Sequence, residues 1–468
     1  MIFIKSYNVI VAFFMCISHF YLSLKMLWHI IKYYLTFVIT VFFKRHKISN
    51  IKNIQVKGPI ILAMNHPNAF MDPVAFSSMT YPPRVWYLAR GDAFKKGIVT
   101  WLLESLGIIP IFRMQDAGKD GLMKNNETYQ AVNKLLSRNK KIIIFAEGIC
   151  IQERRLRPLK KGVPRMVFGA MNEFDLNDLT VVPIGINYSN PSQFRSKVFF
   201  NIGEPIHIND YTAAYQQAPA KTMNTFLVDL AAKMKSLIIH INHERSETVI
   251  GHLEIILKSN YFKQNKWNVD DVEHDFLFST QLVDVINKAE DHCPEVVAEL
   301  TKKTSTYFEQ LEKHNLRDWL IDPHFQLIKF PYLKVILQWC LIIISLPIYI
   351  IGLLTNFIPY KLSYLITTKK VRLKEFKASF YMGIGAVLFL VNYIALYTIP
   401  SVLYSAWLGV LVVMISFLCG YACLFLSPLR KKTKGMWRVL RLQSNQKTIF
   451  DALQLQRQVI IKEYETLL

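Results

Sequence analysis

Residues 59–73 read Pro-Ile-Ile-Leu-Ala-Met-Asn-His-Pro-Asn-Ala-Phe-Met-Asp-Pro and pass from an apolar run directly into a loop and a helix start. The apolar run predicts a buried strand. Pro67 keeps His66 out of a helix, whereas Asp72 followed by Pro73 is a favourable N-cap and first helical position. The stretch therefore predicts a strand, a short loop and a helix, with a histidine and an aspartate at the two ends of the loop.

Similar apolar runs alternate with amphipathic segments on both sides of this stretch, from residue 48 to about residue 245. The further predicted strands are 85–88, 108–112, 141–145, 180–186 and 197–202, and the predicted helices are 73–80, 93–106, 121–138, 161–173 and 221–240. This alternation is typical of an α/β fold in which helices pack on a largely parallel sheet. We therefore expect any chemistry to lie on the loops at the strand ends.

The His66–Asp72 pair is the first candidate for that chemistry. The two residues are six positions apart and cannot share one face of a helix. Across a tight turn, an aspartate that opens a helix can fold back onto the preceding imidazole. Such a pair is similar to the base and orienting carboxylate of a serine protease, with a substrate hydroxyl replacing the serine. On spacing alone, the simpler interpretation is that Asp72 caps the helix and His66 fills the turn.

Basic residues follow two other predicted strands. Arg113 comes directly after the strand at 108–112, and Glu147-Gly148 comes just after the strand at 141–145. The segment after Gly148 carries the bases Arg154, Arg155, Arg157, Lys160, Lys161 and Arg165. Such a run is usually a solvated helix face. Because it follows a strand and a Glu-Gly turn, it also predicts a phosphate pocket, where a glycine lets the backbone approach the ligand.

The order of these motifs resembles the glycerophospholipid acyltransferases. Four blocks match in order between about residues 50 and 205, and they are Asn65-His66 to Asp72-Pro73, Gly107 to Arg113, Phe145 to Gly148, and Val181 to Ile186. The resemblance implies that His66 is a general base and that Asp72 orients it. It also implies that Asn65, Arg113, Glu147 and Gly148 belong to the substrate site.

The activity implied by the resemblance is acyl transfer from acyl-CoA or acyl-carrier protein to glycerol 3-phosphate or a lysophospholipid, with no metal and no cofactor. Five residues separate His66 from Asp72, where the commonest family pattern has four. The longer spacing is similar to a subgroup that includes fungal-type glycerol-3-phosphate acyltransferases. A lysophosphatidate or other lysophospholipid acyltransferase would use the same residues. A non-catalytic membrane scaffold derived from the family is a second alternative.

The third block departs from the family pattern Phe-Pro-Glu-Gly-Thr-Arg. Here Ala146, Ile149 and Cys150 stand where the family has Pro, Thr and Arg. The arginine is the usual phosphate contact of that block. We therefore expect the later bases to supply this contact, and the candidates are Arg157, Lys160, Lys161 and Arg165.

The overall composition indicates a membrane protein. The 468 residues carry 56 Lys and Arg against 34 Asp and Glu, a net charge of +22, yet 52% are hydrophobic. This apolar content excludes a disordered basic chain. The bases cluster beside apolar segments rather than along one exposed face with aromatic residues, so nucleic acid is not an expected partner. Membrane lipids are. The six cysteines show no metal-ligand spacing.

Three C-terminal segments are apolar enough to cross a bilayer core, which takes roughly 20 residues. They are 332–357, 379–398 and 402–426, and the last two predict a hairpin. Bases at 361–377 and 430–441 predict that both flanks are cytoplasmic. A full crossing by 332–357 would place the preceding domain on the opposite side. We therefore expect that segment to re-enter or lie at the interface, with the α/β domain on the cytoplasmic side.

The N-terminus contains two weaker apolar segments, 7–24 and 26–43. They predict helices in or on one leaflet, with Lys25, Lys32 and Lys44 to Lys47 reaching the headgroups. The predicted organisation is N-terminal membrane-associated helices at 1–47, an acyltransferase domain at 48–245, a helical region without an assigned role at 246–330, a membrane region at 331–428 and a basic cytoplasmic tail at 429–468.

Overall fold

The computed structural model describes residues 29–80, 85–91, 94, 97, 100, 107–111, 127–176, 178–323 and 330–468. The chain divides at Ile238 into two compact units. We call the part up to Ile238 the sheet unit and the part from Ile239 the helical unit. The predicted N-terminal segment 7–24 and most of the predicted helix 93–106 lie outside the described residues.

The sheet unit is a mixed α/β layer with eight strands. Its helices are α1 (His29–Phe42), α2 (Met71–Met79), α3 (127–136), α4 (Gly162–Phe174), α5 (Thr212–Gln217) and α6 (Pro219–Ser236). Its strands are β1 (Arg45–Ser49), β2 (Ile60–Met64), β3 (Val85–Arg90), β4 (Ile108–Ile111), β5 (Lys141–Phe145), β6 (Thr180–Tyr188), β7 (Lys197–Ile202) and β8 (Ile206–His207). Every strand predicted from an apolar run is present.

The strand order is β1-β7-β6-β2-β5-β3-β4, and β8 pairs with β6. β2 pairs in parallel with both β5 and β6, whereas β6 pairs antiparallel with β7 and β8. The sheet is therefore largely parallel, as predicted. All five residues of the central strand β2 are buried, which explains its uninterrupted apolar sequence.

The N-terminal boundary predicted at residue 47 falls inside a strand. Arg45–Ser49 form β1, an edge strand paired with β7, so these residues are part of the sheet. Edge strands tolerate charged residues because one side of the strand remains unpaired. Lys32 was also expected to reach headgroups, but its Nζ donates a 3.0 Å hydrogen bond to the Thr80 carbonyl. Helix α1 thus packs on the sheet unit, with Ile39 and Phe42 buried.

The helical unit contains eight α-helices in its described residues. They are α7 (Glu247–Gln264), α8 (Val272–His292), α9 (Pro294–Lys313), α10 (Pro331–Ile344), α11 (Leu346–Lys370), α12 (Lys374–Leu403), α13 (Ala406–Asn445) and α14 (Lys447–Glu465). Helices α11, α12 and α13 are each long and apolar enough to cross a membrane, whereas α10 is shorter. The predicted apolar segment 332–357 is divided at Ser345 between α10 and α11.

The predicted basic tail at 429–468 is part of a folded core. Val439 at the end of α13 and Leu453 of α14 are fully buried in one cluster with Leu253, Ile286 and Leu300 of α7, α8 and α9. We call this assembly the helical bundle. The apolar positions of α14 recur at helical spacing among many basic residues, so they are difficult to recognise in the sequence.

Candidate active site

The candidate residues meet at one edge of the sheet. β2 and β5 are parallel neighbours, and Met64 lies opposite Phe145. The loop that begins with Asn65 therefore leaves the sheet beside the turn that contains Glu147. β6 flanks β2 on its other side and ends at Tyr188. Carboxyl ends of neighbouring parallel strands are where α/β folds collect their functional side chains.

His66 and Asp72 are in direct contact. The Nδ1 atom of His66 lies 2.9 Å from Oδ2 of Asp72, and the same oxygen accepts a 2.8 Å hydrogen bond from the Asn68 backbone N–H. The Asp72 side chain is fully buried, whereas that of His66 is 16% exposed. The loop thus folds Asp72 back onto the imidazole and leaves Nε2 of His66 as the ring nitrogen that Asp72 does not engage.

Asp72 lies in the first turn of α2 rather than at its N-cap. The helix begins at Met71, and Phe70 occupies the cap position without a side-chain hydrogen bond. The predicted N-cap role of Asp72 is therefore wrong, because its carboxylate is taken by His66 and Asn68 instead. A carboxylate in the first turn is still stabilised by the positive end of the helix dipole.

Tyr188 is a third partner of this pair that the sequence did not reveal. Its hydroxyl donates a 2.7 Å hydrogen bond to Oδ1 of Asp72. Burial, together with the negative charge of Asp72, raises the pKa of Tyr188 well above its ordinary value, so the phenol remains a donor. Tyr188 lies 116 residues from Asp72, and only the pairing of β6 with β2 brings them together.

The ring of His66 is also fixed by stacking. It lies on the ring of Phe145, with centroids 3.7 Å apart and planes inclined by 17°. Phe145 is the last residue of β5, so the strand register sets the position of this ring. The imidazole is therefore held on one edge by Asp72 and on one face by Phe145.

Glu147 connects the histidine loop to the basic segment. Its Oε2 accepts a 3.0 Å hydrogen bond from the His66 backbone N–H, and its Oε1 accepts a 2.8 Å bond from the Arg157 backbone N–H. Burial raises the pKa of Glu147, although these two N–H donors and the neighbouring charges of His66 and Arg157 oppose that rise. Both carboxylate oxygens bind backbone groups, so Glu147 positions the two segments relative to each other.

Gly148 allows the basic segment to pack closely. Its φ is +66°, and a Cβ at this position would lie 3.0 Å from Cγ of Lys160. The Lys160 N–H donates a 2.9 Å hydrogen bond to the Ala146 carbonyl, which fixes the start of α4 beside the turn. Any larger residue at position 148 would be strained by both its backbone angle and this contact.

The predicted basic residues differ in their availability. The guanidinium of Arg157 pairs with Glu153, which also binds Nε of Arg155 at 2.7 Å. Partial burial acts to raise the pKa of Glu153, but the two arginines outweigh it and lower that pKa. Lys160 and Lys161 are exposed at the beginning of α4. Arg113 lies outside the described residues.

Asn65 binds the sheet itself. Its Nδ2 donates to the Ile186 carbonyl at 3.1 Å, and its Oδ1 accepts from the Ile186 N–H at 2.7 Å. This side chain therefore ties the end of β2 to β6. In the described part of the chain, no group of three or more His, Cys, Asp and Glu side chains is arranged to hold a metal ion.

Comparison with known proteins identifies the same region. A family model described as Acyltransferase matches residues 45–187. Glycerol-3-phosphate O-acyltransferase 2 of Saccharomyces cerevisiae is 32% identical over 114 residues, which are 24% of this chain and 15% of that protein. Glycerol-3-phosphate O-acyltransferase 1 of the same yeast is 39% identical over 80 residues, which are 17% of this chain and 10% of that protein.

The alignments thus span less than a sixth of the length of these two yeast proteins. Among solved structures, the 1-acyl-sn-glycerophosphate (LPA) acyltransferase of Thermotoga maritima superposes with a TM-score of 0.35 at 15% identity. That superposition covers 46% of this chain and 80% of the bacterial chain.

The range matched by the family model contains His66, Asp72, Glu147 and Gly148, and Tyr188 lies one residue beyond its end. All of these residues stand at one edge of the sheet. Residues 45–187 therefore match the Acyltransferase family model, and part of the chain is similar to the two yeast glycerol-3-phosphate O-acyltransferases.

Proposed function

We propose that this chain transfers a fatty acyl group from an acyl thioester to a hydroxyl of glycerol 3-phosphate, with His66 as general base. The observation that carries the proposal is the 2.9 Å contact between Nδ1 of His66 and the fully buried Asp72. It fixes the imidazole and leaves Nε2 for a substrate hydroxyl. Both yeast relatives are named as glycerol-3-phosphate O-acyltransferases, which supports this acceptor.

The proposed reaction needs no covalent enzyme intermediate. Nε2 of His66 takes the proton from the acceptor hydroxyl while its oxygen attacks the thioester carbonyl carbon. The new carbon–oxygen bond forms, and the tetrahedral oxyanion collapses with cleavage of the carbon–sulfur bond. The departing thiolate receives the proton from the imidazolium. The products are the ester and the free thiol, and His66 returns to its neutral state.

Asp72 serves this cycle by stabilising the imidazolium without itself taking the proton. Its carboxylate already accepts hydrogen bonds from the Asn68 N–H and the Tyr188 hydroxyl. These donors supply the hydrogen bonds that a buried carboxylate needs. Tyr188 is thus a positioning residue, because it acts on the acceptor only through Asp72 and His66.

The phosphate of the acceptor is assigned to the bases next to Gly148. Lys160 and Lys161 are exposed at the start of α4, and Arg157 is held to the turn by Glu147 through its backbone. Arg113 completes the proposed set. These bases would take the role of the arginine of the family's third block, where this chain has Cys150. Cationic side chains near a phosphate form short, charge-assisted hydrogen bonds.

The proposed enzyme works at a membrane and needs no cofactor besides its acyl donor, acyl-CoA or acyl-carrier protein. Three apolar helices indicate membrane attachment. Bases at both flanks of the apolar region support a cytoplasmic position for the sheet unit. Acyl donors of both kinds are water-soluble thioesters, so a site on that side would have direct access to them.

The test is acyl transfer by the purified full-length chain. Labelled acyl-CoA or acyl-carrier protein is offered with glycerol 3-phosphate, lysophosphatidate or another lysophospholipid, and the lipid products are separated. We expect acylated glycerol 3-phosphate. If only lysophospholipids are acylated, the chain is a lysophospholipid acyltransferase instead. If no acceptor is acylated, a non-catalytic scaffold is favoured. His292→Ala, at an exposed histidine of α8, is the matched control for His66→Ala.

A further inference from the structure

The helical bundle restricts how the chain can cross a membrane. Its core contains residues on both sides of the apolar helices, such as Leu300 of α9 and Leu453 of α14. Arg457 of α14 also binds Asp318 at 2.8 Å and the Ile256 carbonyl at 2.7 Å. One core cannot be divided by a bilayer. The chain between these two parts therefore crosses an even number of times.

Among the described residues, three helices are long enough to cross, and three is an odd number. The shorter helix α10 does not supply the missing crossing. Its Val335 is buried in the core of the bundle, and its Gln338 accepts a 2.9 Å hydrogen bond from Thr433, beyond the apolar part of α13. One of the helices α11, α12 and α13 must therefore enter the membrane and return.

Helices α12 and α13 form an antiparallel hairpin. They are joined at Tyr404 and Ser405, and Gly409 near the start of α13 lies against Ser401 near the end of α12. Further from the turn, the ring centroids of Tyr393 and Phe417 are 6.5 Å apart. The two helices stay paired along their apolar lengths, so we assign both crossings to this hairpin.

The first half of α11 runs along α13 toward the hairpin turn. The Tyr349 carbonyl lies 3.5 Å from Sγ of Cys423. One helical turn later in α11, Gly352 lies against Cys419, four residues closer to the turn. Asn356 then donates a 3.2 Å hydrogen bond to the Ser416 carbonyl.

The second half of α11 runs along α12 away from the same turn. Thr355 is beside Asn392, whereas Ser363 is beside Gly385 and the ring of Tyr364 is 6.3 Å from that of Tyr381. In α12, position 381 is more distant from the hairpin turn than position 392. The direction of α11 therefore reverses near its middle, and both of its ends lie near the open end of the hairpin.

Pro359 lies at the place where the direction changes, and it interrupts the helical hydrogen bonds there. Proline has no backbone N–H, so it leaves the carbonyl four residues earlier, that of Thr355, without its helical partner. Asn392 of α12 donates a 3.1 Å hydrogen bond to this carbonyl. Inside a membrane such a replacement is needed, because an unsatisfied carbonyl costs several kcal/mol there. Tyr393 adds a 2.9 Å hydrogen bond to Oδ1 of Asn356.

The depth of this bend follows from its level on α13. Ser416 is 11 residues beyond Ser405, which at 1.5 Å per residue places the bend about 17 Å from the hairpin turn. The apolar core of a bilayer is about 30 Å thick. The bend in α11 therefore reaches about the middle of the bilayer.

We propose that α11 is a re-entrant helix whose surface binds the acyl chains of one leaflet, and that only α12 and α13 cross. Its lipid-facing residues include Leu354 and Ile358, which are 72% and 68% exposed. The arrangement brings Lys369, Lys370 and Arg372 to the same side as Arg430. Bases on one side can contact anionic headgroups, at about 1 kcal/mol for each base close to the surface.

The test uses single cysteines in a chain whose six natural cysteines are replaced by alanine. Lys302→Cys marks the bundle, Arg372→Cys marks the end of α11, and Tyr404→Cys marks the hairpin turn; all three positions are exposed. Sealed vesicles are prepared separately in each of the two orientations, and each preparation is treated with a membrane-impermeant maleimide. We expect positions 302 and 372 to react from one side and position 404 from the other.

Reaction of position 372 from the side opposite to position 302 would overturn the proposal, because α11 would then cross. If the cysteine-free chain fails to fold, an epitope inserted after Arg372 or after Tyr404 of the natural chain gives the second measurement, by antibody binding to sealed vesicles. Neither readout depends on acyl transfer, so the result is independent of the proposed activity.

Discussion

Two buried aspartates, one in each unit, have similar partners and different settings. Asp72 in the sheet unit accepts a hydrogen bond from the Tyr188 hydroxyl and contacts His66. Asp318 in the helical bundle accepts a hydrogen bond from the Tyr307 hydroxyl and pairs with Arg457. The geometry around the two carboxylates is alike, with tyrosine oxygens at 2.7 and 2.9 Å.

The difference lies in the basic partner. Arg457 is permanently charged and its side chain is only 3% exposed, whereas the imidazole of His66 can exchange a proton and is 16% exposed. The Arg457–Asp318 network contains a permanent cation and is closed to solvent, so it can hold helices together. The same network with a titratable and accessible partner is suited to acid–base chemistry. The two roles are separated by the nature and exposure of the basic side chain, because both carboxylates are buried.

The largest effect is expected from Arg457→Ala. Its removal leaves Asp318 and Asp322 buried without their cation, and breaking a buried ion pair in this way costs about 3–5 kcal/mol. We expect a clear fall in the thermal unfolding midpoint of the purified protein. Arg441→Ala, at an exposed arginine near the end of α13, is the matched control. Equal midpoints for the two variants would show that the Arg457 network does not stabilise the bundle.

Asp72→Asn should affect activity instead. The amide keeps nearly the same shape but cannot stabilise an imidazolium, so we expect turnover to fall at least about 100-fold. The measurement is the rate of acyl transfer at saturating substrates. The control is Asp175→Asn, at the left-handed position that ends α4. It removes the same charge as Asp72→Asn and should leave the rate unaltered. If the Asp72→Asn variant were as fast as this control, Asp72 would have no part in the mechanism.

Tyr188→Phe tests whether the tyrosine acts through Asp72. Loss of a hydrogen bond to a carboxylate is worth about 1.5 kcal/mol or more, and that amount corresponds to a roughly 10-fold lower turnover. The KM for the acceptor should not change, because Tyr188 does not touch it.

Tyr215→Phe is the control for that variant, since this tyrosine stacks on Phe168 away from Asp72. A change in KM alone, or a turnover equal to that of this control, would contradict the positioning role of Tyr188.

The smallest effect is expected at the bend of α11. Asn392→Leu should cost about 0.6 kcal/mol, the average for hydrogen bonds between membrane helices. Pro359→Ala would restore the N–H that the Thr355 carbonyl lacks. Asn392→Leu should therefore cost less in a Pro359→Ala background, and a double-mutant cycle of unfolding midpoints measures the difference. Strictly additive effects would mean that Asn392 does not compensate for the proline.

The strands of the sheet unit were predictable because most are buried on both faces and appear as short apolar runs. β1 was not, since Arg45–Ser49 is a charged edge strand. Likewise, α11 extends to Lys370, well beyond the apolar run that ends at residue 357. Hydropathy marks where a helix is compatible with lipid, and it does not mark where the helix ends.

Of the candidate site, the sequence indicated the residues that lie close together along the chain. His66 and Asp72 are within one loop, so their contact follows from a turn. Tyr188 and Phe145 reach that loop only through the order of the strands, which no single run of residues specifies. Arg457 is the converse case: it was read as part of a basic tail, although its side chain is buried in the bundle.

The most direct test of the central claim is the rate at which purified His66→Ala forms acylated glycerol 3-phosphate, compared with the natural chain and His292→Ala. We expect the natural chain and His292→Ala to be equally active and His66→Ala to be at least about 100-fold slower, the scale for loss of a positioned base. The unfolding midpoint of each variant shows that the fold is retained. Near-normal transfer by a folded His66→Ala variant would contradict the account.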